Sequence, residues 1–205
     1  MKDHWVIHPI ILKSNKITLL PLEKEHLDDL FVASSNKEIW ALTSVDYSVK
    51  DVFYPNFNKA LTDRDNGIAY PFIIVHNESD TIIGTTRLLE IHPNDRKIEI
   101  GVTWIGKEFW GTTINLECKL LLLEYCFETL KANRVQFRAK DNNLRSRRAI
   151  EKIGGILEGV LRKDKVEANG VPRNTAFYSI LNDEWSNVKE SIQQQIALKS
   201  HNTDL

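Results

Sequence analysis

Lys97-Ile98-Glu99-Ile100-Gly101-Val102-Thr103-Trp104-Ile105, then Gly106-Lys107-Glu108-Phe109-Trp110-Gly111-Thr112-Thr113, then an apolar-faced run to Lys131, is the stretch that decides the fold. Its first nine residues are β-rich and predict a strand over 97–105. From Thr112 to Lys131 apolar side chains stand at 114, 116, 120, 121, 122, 123, 126, 127 and 130, a stripe broad enough to be largely covered, as in a helix lying on a sheet. Arg134-Val135-Gln136-Phe137-Arg138-Ala139 then alternates as a strand does, over 134–140. Strand, long helix, strand is a crossover that places two parallel strands in one sheet. A ligand site often lies where such strands end.

Working outward, three β-rich runs (70–75, 81–89 and 97–104) are separated by Asn77-Glu78-Ser79-Asp80 and His92-Pro93-Asn94-Asp95, which predicts consecutive antiparallel strands. Before them, Ile10 to Leu12 and Ile17 to Leu20 read as two strands around a Lys13-Ser14-Asn15-Lys16 turn. Leu27, Leu30, Phe31 and Ala33 recur at helical spacing, and a weaker helix begins near Ser48, with Pro55 expected to kink or split it. After the crossover come a helix over 143–153 ended by Gly154-Gly155, a hairpin of 156–165 and 175–181 turning near Asn169-Gly170, and a polar helix over 184–199. The order predicts an α+β fold with a mixed, mostly antiparallel sheet. Without repeats or linkers, residues 1–205 read as one domain with its core at about 8–185.

Composition narrows the function. Lys and Arg number 27 against 28 Asp and Glu, so the excess of cations expected of a dedicated nucleic-acid binder is missing. The N-terminal apolar run Pro9-Ile10-Ile11-Leu12 is too short for a signal peptide or a membrane span. Cys118 and Cys126 lie eight residues apart on one expected helix, about 12 Å, beyond the roughly 7 Å a disulfide allows; their count fits a reducing cytoplasm. Six histidines without ligand spacing give no zinc motif, and no metal is expected. Glycine spacing over 101–107 mimics a P-loop, but Glu108 stands where Ser or Thr would hold magnesium; GxGxxG is absent.

Two segments carry candidate chemistry. The start of the helix near Thr112 offers unpaired amides that suit a phosphate, though any strand-to-helix loop offers some. The segment Asp141-Asn142-Asn143-Leu144-Arg145-Ser146-Arg147-Arg148 opens with an Asx cap and presents Arg145, Arg148 and Lys152 on one face, with Ile150 and Ile153 facing inward.

Asn143-Leu144-Arg145-Ser146, Glu151-Lys152-Ile153-Gly154, Glu158-Gly159-Val160-Leu161-Arg162 and Tyr178-Ser179-Ile180-Leu181 before Glu184-Trp185 occur in an order that resembles the GNAT superfamily of N-acetyltransferases, nearest its RimJ/RimL-type, ribosomal-protein branch. The similarity covers about 17–185. It implies a GNAT fold with helices on both faces of the sheet and acetyl-CoA entering between splayed strands, here 97–105 and 134–140. It aligns the family's pyrophosphate loop with Trp110, Gly111, Thr112, Thr113, Ile114 and Asn115. In that loop Trp110 replaces a basic or amide residue, Thr113 a glycine and Asn115 a small residue. Main-chain amides carry most phosphate binding in such loops. The resemblance further implies main-chain bonds from Trp104 and Ile105 to the pantetheine arm, and places Asn143 and Ser146 beside the arm and its sulfur; for Asn143 the alternative is helix capping.

The family's thiolate-protonating Tyr is replaced by Ile150, leaving Ser146 or a water. Its base beyond the Glu-Gly motif falls on Lys165 and is not carried over. Glu99 is the base candidate, with an exposed strand position as its alternative; Tyr178 is a candidate for the acceptor groove, with a core tyrosine as its alternative; Trp40 and Tyr47 either line the acceptor side or pack the core. The activity implied is acetyl-CoA-dependent acetylation of a primary amine, a protein N-terminus or a small molecule, by direct attack on the thioester through a tetrahedral intermediate. The rival is a noncatalytic acyl-CoA-binding module on the same fold. The thin apolar stripe of the last helix (Trp185, Val188, Ile192, Ile196) would dock on its own domain or on a second copy, leaving a homodimer open.

Overall fold

Period-two alternation along the central strands sorts apolar side chains onto two faces, and each face acquires its own helices. In the computed structural model, which describes residues 5–167 and 169–201, the sheet has eight strands. They are β1 Leu12–Lys13, β2 Ile17–Pro21, β3 Tyr70–His76, β4 Thr81–His92, β5 Lys97–Ile105, β6 Arg134–Lys140, β7 Ile156–Val166 and β8 Pro172–Leu181. Their spatial order is β1-β2-β3-β4-β5-β6-β8-β7, and every neighbouring pair is antiparallel except β5 and β6.

The helices are α1 Leu27–Ala33, α2 Lys50–Asp65, α3 Ile114–Glu124, α4 Leu144–Lys152 and α5 Trp185–His201. On β3, Ile73 and Val75 pack with Leu27, Leu30, Phe53 and Phe57 of α1 and α2. The intervening Phe72 and Ile74 belong to the opposite core, with Cys118, Leu122 and Cys126 along α3 and the turn after it. Trp185 and Ile192 of α5 are buried in that same core, and the Trp185 ring stacks 5.3 Å from Phe127. The apolar stripe of α5 is therefore spent on its own chain, which leaves a homodimer no support from this helix.

Three local expectations are corrected. Pro55 lies inside an uninterrupted α2; it is the sixth helical residue, so its ring costs a single early ladder bond rather than breaking the helix. The helix of the crossover is shorter than 112–131: Thr113 is its N-cap, and from Tyr125 to Thr129 it widens into a π turn. β1 is reduced to two residues paired with Thr18 and Leu19. Cys118 and Cys126 are both buried free thiols, and burial pushes the Cys118 thiol up to about 11 and raises that of Cys126 as well. Among the described residues no helix is long and apolar enough to cross a membrane.

Candidate active site

β5 and β6 are joined over only three registers, Lys97 with Arg134, Ile98 with Val135 and Glu99 with Gln136. Beyond Glu99 they part. Val102 adopts φ of 47° there, and the register between β4 and β5 shifts around it, so a bulge turns β5 away from its neighbour. Gly84 of β4 makes the bend possible, because a Cβ at that position would lie 2.2 Å from the Trp104 carbonyl oxygen. The strands open onto a cavity of about 420 Å³ whose wall includes Thr103, Lys119, Phe137, Ser146, Ala149 and Ile150.

Two helices start at its mouth. α4, after β6, is closed by its own side chain: Asn143 Oδ1 accepts from the Ser146 amide at 3.0 Å, and its Nδ2 donates to the Leu42 carbonyl at 3.1 Å. Asn143 and Ser146 both line the cavity, yet the Asn143 amide is committed to the cap and to the 39–49 segment. α3, after β5, has no such closure. Thr113 is the N-cap without a side-chain cap bond, because its hydroxyl turns along the helix to donate to Glu117 Oε1 at 2.7 Å. Thr112 Oγ1 donates to the Phe109 carbonyl and accepts from the Ile114 amide at 3.3 Å. The remaining first-turn amides have no intrahelical acceptor, and the dipole of α3 favours negative charge at this end. Gly111 holds φ of 80° with open space around its Cα, a conformation glycine adopts without strain.

Trp110 is half in the cavity wall, 38% exposed. Its Nε1 donates to the Ile105 carbonyl at 3.0 Å, and the Arg145 guanidinium lies 4.1 Å above its ring while donating to the Ile39 carbonyl. The stack ties the loop after β5 to the helix after β6. The Ile105 carbonyl, expected to meet the pantetheine arm, accepts this indole bond on one of its two lone pairs. Lys199 of α5 donates to the Gly111 carbonyl, which adds a cation beside the loop. Trp104 is buried against Trp40, ring centroids 5.3 Å apart, and its Nε1 has no hydrogen-bond partner among the described residues. Trp40 donates its own Nε1 to the Ser34 carbonyl, and both Trp40 and Tyr47 pack the α1/α2 core.

Glu99 is not the exposed strand residue its alternation allowed. It is 3% exposed, at the point of divergence, with Oε2 receiving Gln136 Nε2 at 2.9 Å and Arg138 Nε at 2.6 Å. Its Oε1 lies against Gly101, which lines the cavity. Tyr178 does not reach the acceptor groove. Its side chain is fully buried, its hydroxyl donates to Glu151 Oε1 at 2.8 Å and accepts from Arg147 Nε at 2.8 Å, so the catalytic expectation for Tyr178 is replaced by a core role. Near Lys165, where the family's base would fall, Glu167 pairs with Lys140 at 2.5 Å.

Lys119 was absent from the candidates. It lines the cavity, is 7% exposed, and donates from Nζ to Thr103 Oγ1 at 2.6 Å. Its place in the sequence carried a clue: three residues from Leu116 and Leu122 and four from Leu123, it is a charge in the middle of the buried stripe. Among the described residues no group of three or more His, Cys, Asp or Glu side chains is placed to hold a metal ion.

Parallel strands parting around a cavity, with an uncapped helix start at the mouth, make a geometry that suits an extended anionic ligand. The acetyltransferase (GNAT) domain model matches residues 16–156. The Bacillus subtilis (strain 168) protein described as "Putative ribosomal N-acetyltransferase YdaF" is 31% identical over 176 residues, covering 83% of this chain and 92% of its own. A GCN5-related N-acetyltransferase from Brucella melitensis superposes with a TM-score of 0.83 at 28% identity, over 91% of this chain and 85% of its own. Mycobacterium smegmatis RimJ, solved in complex with CoA-disulfide, shares the fold with a TM-score of 0.77 at 18% identity, over 92% of this chain and 95% of its own. The chain belongs to the GNAT acetyltransferase family and is an N-acetyltransferase.

Proposed function

We propose that this chain transfers acetyl from acetyl-CoA to the α-amine of a protein or peptide N-terminus, with the diphosphate of acetyl-CoA held by the loop Trp110 to Asn115. The observation that carries this is the uncapped start of α3 facing a cavity between parted strands. The residues fit the group: first-turn amides and the α3 dipole meet the phosphates, Lys199 adds positive charge beside Gly111, and Thr103, Trp104 and Ile105 at the end of β5 line the cavity that the arm would enter. The Ile105 carbonyl already accepts one bond, from the Trp110 indole, and keeps a second lone pair for the arm. Bound acetyl-CoA supplies an already activated acyl carbon.

The protein then has to orient the amine, take its proton and supply one to the sulfur. Glu99 is the base, acting through Oε1 or a water next to Gly101, while Arg138 and Gln136 hold the other oxygen and fix the carboxylate. Ser146 borders the sulfur and Asn143 positions it by capping α4. An α-amine, with a pKa of about 7.7 to 8.0 against about 10.4 for lysine, is the easier group to present neutral, and a relative named as a ribosomal N-acetyltransferase supports a protein acceptor. Two buried free thiols suit a reducing cytoplasm.

Calorimetric titration with acetyl-CoA, followed by thiol release with a panel of N-terminal peptides and small amines, tests the proposal. Binding with release driven by peptides is expected. No binding overturns it, and binding without release to any amine makes the chain a noncatalytic acyl-CoA binder.

A further inference from the structure

Lys119 is the charged group of the cavity wall whose position the acetyl transfer proposed for this chain leaves unexplained. Its Nζ is enclosed by α3 and β5, and its bonded neighbour is a neutral hydroxyl, Thr103 Oγ1, itself 2.7 Å from Thr86 Oγ1. No carboxylate pairs with it among the described residues; Glu117, two residues back, is turned to Ser14 at 2.6 Å and to Thr113. A buried ammonium held by a hydroxyl alone is costly to keep charged. Burial accordingly lowers its pKa, against a small opposing influence of the neighbouring Cys118. The other charged groups lining the cavity are Arg138 and Arg145, neither of which gives up a proton near neutral pH. Ile150, Ala149 and Ser146 of α4 line the same cavity; of these only the Ser146 hydroxyl carries a proton on oxygen, and a serine hydroxyl alone is a far weaker acid than an ammonium. The cavity therefore has a need for an acid and one enclosed, mobile proton.

We infer that Lys119 is the catalytic acid of this enzyme, delivering a proton from Nζ to the CoA sulfur as it leaves. As the amine nitrogen bonds to the acyl carbon, the carbon–sulfur bond breaks and its electron pair stays on sulfur. Lys119 gives that sulfur its proton and becomes a neutral amine, still hydrogen-bonded to Thr103. The proton shed by the attacking amine leaves through Glu99 to solvent, and solvent returns one to Lys119, so the products are the acetylated amine and CoA thiol. Burial, which makes the Nζ proton easier to give up than that of an exposed lysine, suits the group to that task.

This inference rests on the proposed transferase function, and the experiment separates the two. In the full chain, Lys119→Met is expected to lower kcat by about a hundredfold or more, to leave the acetyl-CoA dissociation constant within about twofold, to keep or raise Tm, and to abolish the alkaline limb of the kcat/KM profile. Lys119→Arg keeps the charge without a releasable proton and stays as slow. A readout independent of turnover uses carbon-13 lysine labelling: the Lys119 ε-carbon resonance shifts when CoA binds and less when desulfo-CoA binds. Wild-type turnover in Lys119→Met, full rescue by Lys119→Arg, or equal shifts with CoA and desulfo-CoA would overturn the assignment. Failure of the wild-type chain to bind acetyl-CoA would instead sink the transferase function itself. Should Lys119→Met not fold, Lys119→Arg and the resonance comparison still decide.

Discussion

The starts of α3 and α4 occupy equivalent places, each following one of the two parallel strands at the mouth of the cavity, and they are built in opposite ways. α4 is closed by Asn143, whose two amide atoms are both spent on the protein. α3 is left open, because Thr113 sends its hydroxyl to Glu117 instead of back to the first-turn amides. A capped start stabilises its own helix, whereas an uncapped one keeps its donors for something else. The contrast teaches that the capping residue, rather than the strand-to-helix topology, decides which of two similar corners can receive an anion.

The contrast breaks most sharply at Asn115. Asn115→Asp places a carboxylate in the first turn of α3, where it satisfies the dipole that the diphosphate would meet. Acetyl-CoA affinity is expected to fall by a factor on the order of a hundred from like-charge opposition, while Tm rises slightly, since an acid in the first turn contributes about 0.3 to 1 kcal/mol. Titration calorimetry and thermal melting read the two opposite signs; parallel losses in both would contradict an open start. Asn143→Ala should do the reverse, lowering stability by about 1 kcal/mol through the lost cap, more with the Leu42 bond gone, while the dissociation constant for acetyl-CoA moves less than about threefold. A large affinity loss there would make Asn143 a direct ligand.

Smaller still is the effect of Trp110→Ala. It removes the Arg145 stack and the indole bond to Ile105, interactions of about 0.5 to 2 kcal/mol, and so should weaken acetyl-CoA binding several-fold by loosening the open corner; tighter binding would mean that Trp110 obstructs the cleft. The smallest effect separates the open end of α3 from its sealed body. The Cys118 thiol, raised by burial from 9.0 to about 11, is protonated in the fold at pH values where the unfolded chain has lost the proton. Its contribution to stability is therefore complete below about pH 9 and declines as pH rises toward 11. Tm measured across that range should fall less steeply in Cys118→Ala than in the wild-type chain.

Much of this was legible in the residues. The parallel pair, the helix over it and the Asx cap at Asn143 follow from periodicity and from capping chemistry that involve only near neighbours in the chain. The parting of β5 and β6 was implied by family resemblance rather than by any local pattern, and its physical origin is a bulge at Val102 accommodated by the missing side chain of Gly84, thirteen or more residues from the β5 edge it frees. Glu99 illustrates the limit of alternation: period two placed it correctly opposite Ile98 and Ile100, but a sheet face can be solvent or site, and Arg138 and Gln136 from the neighbouring strand made it buried. Tyr178 fails for the converse reason, since a tyrosine's partners, here Arg147 and Glu151 on α4, are chosen by packing.

The sequence by itself determined which segments are strands and helices, that their order is a crossover within an α+β sheet, and that two helices begin beside the parallel strands, because backbone propensity, apolar period and caps act over a few residues. Only the tertiary structure decided that one of those helix starts stays open, that Trp110 bridges to Arg145, and that Lys119 is drawn under β5 into the cavity wall. Those outcomes depend on contacts between groups far apart in the chain, whose desolvation and hydrogen-bond partners do not exist until the strands and helices are brought together.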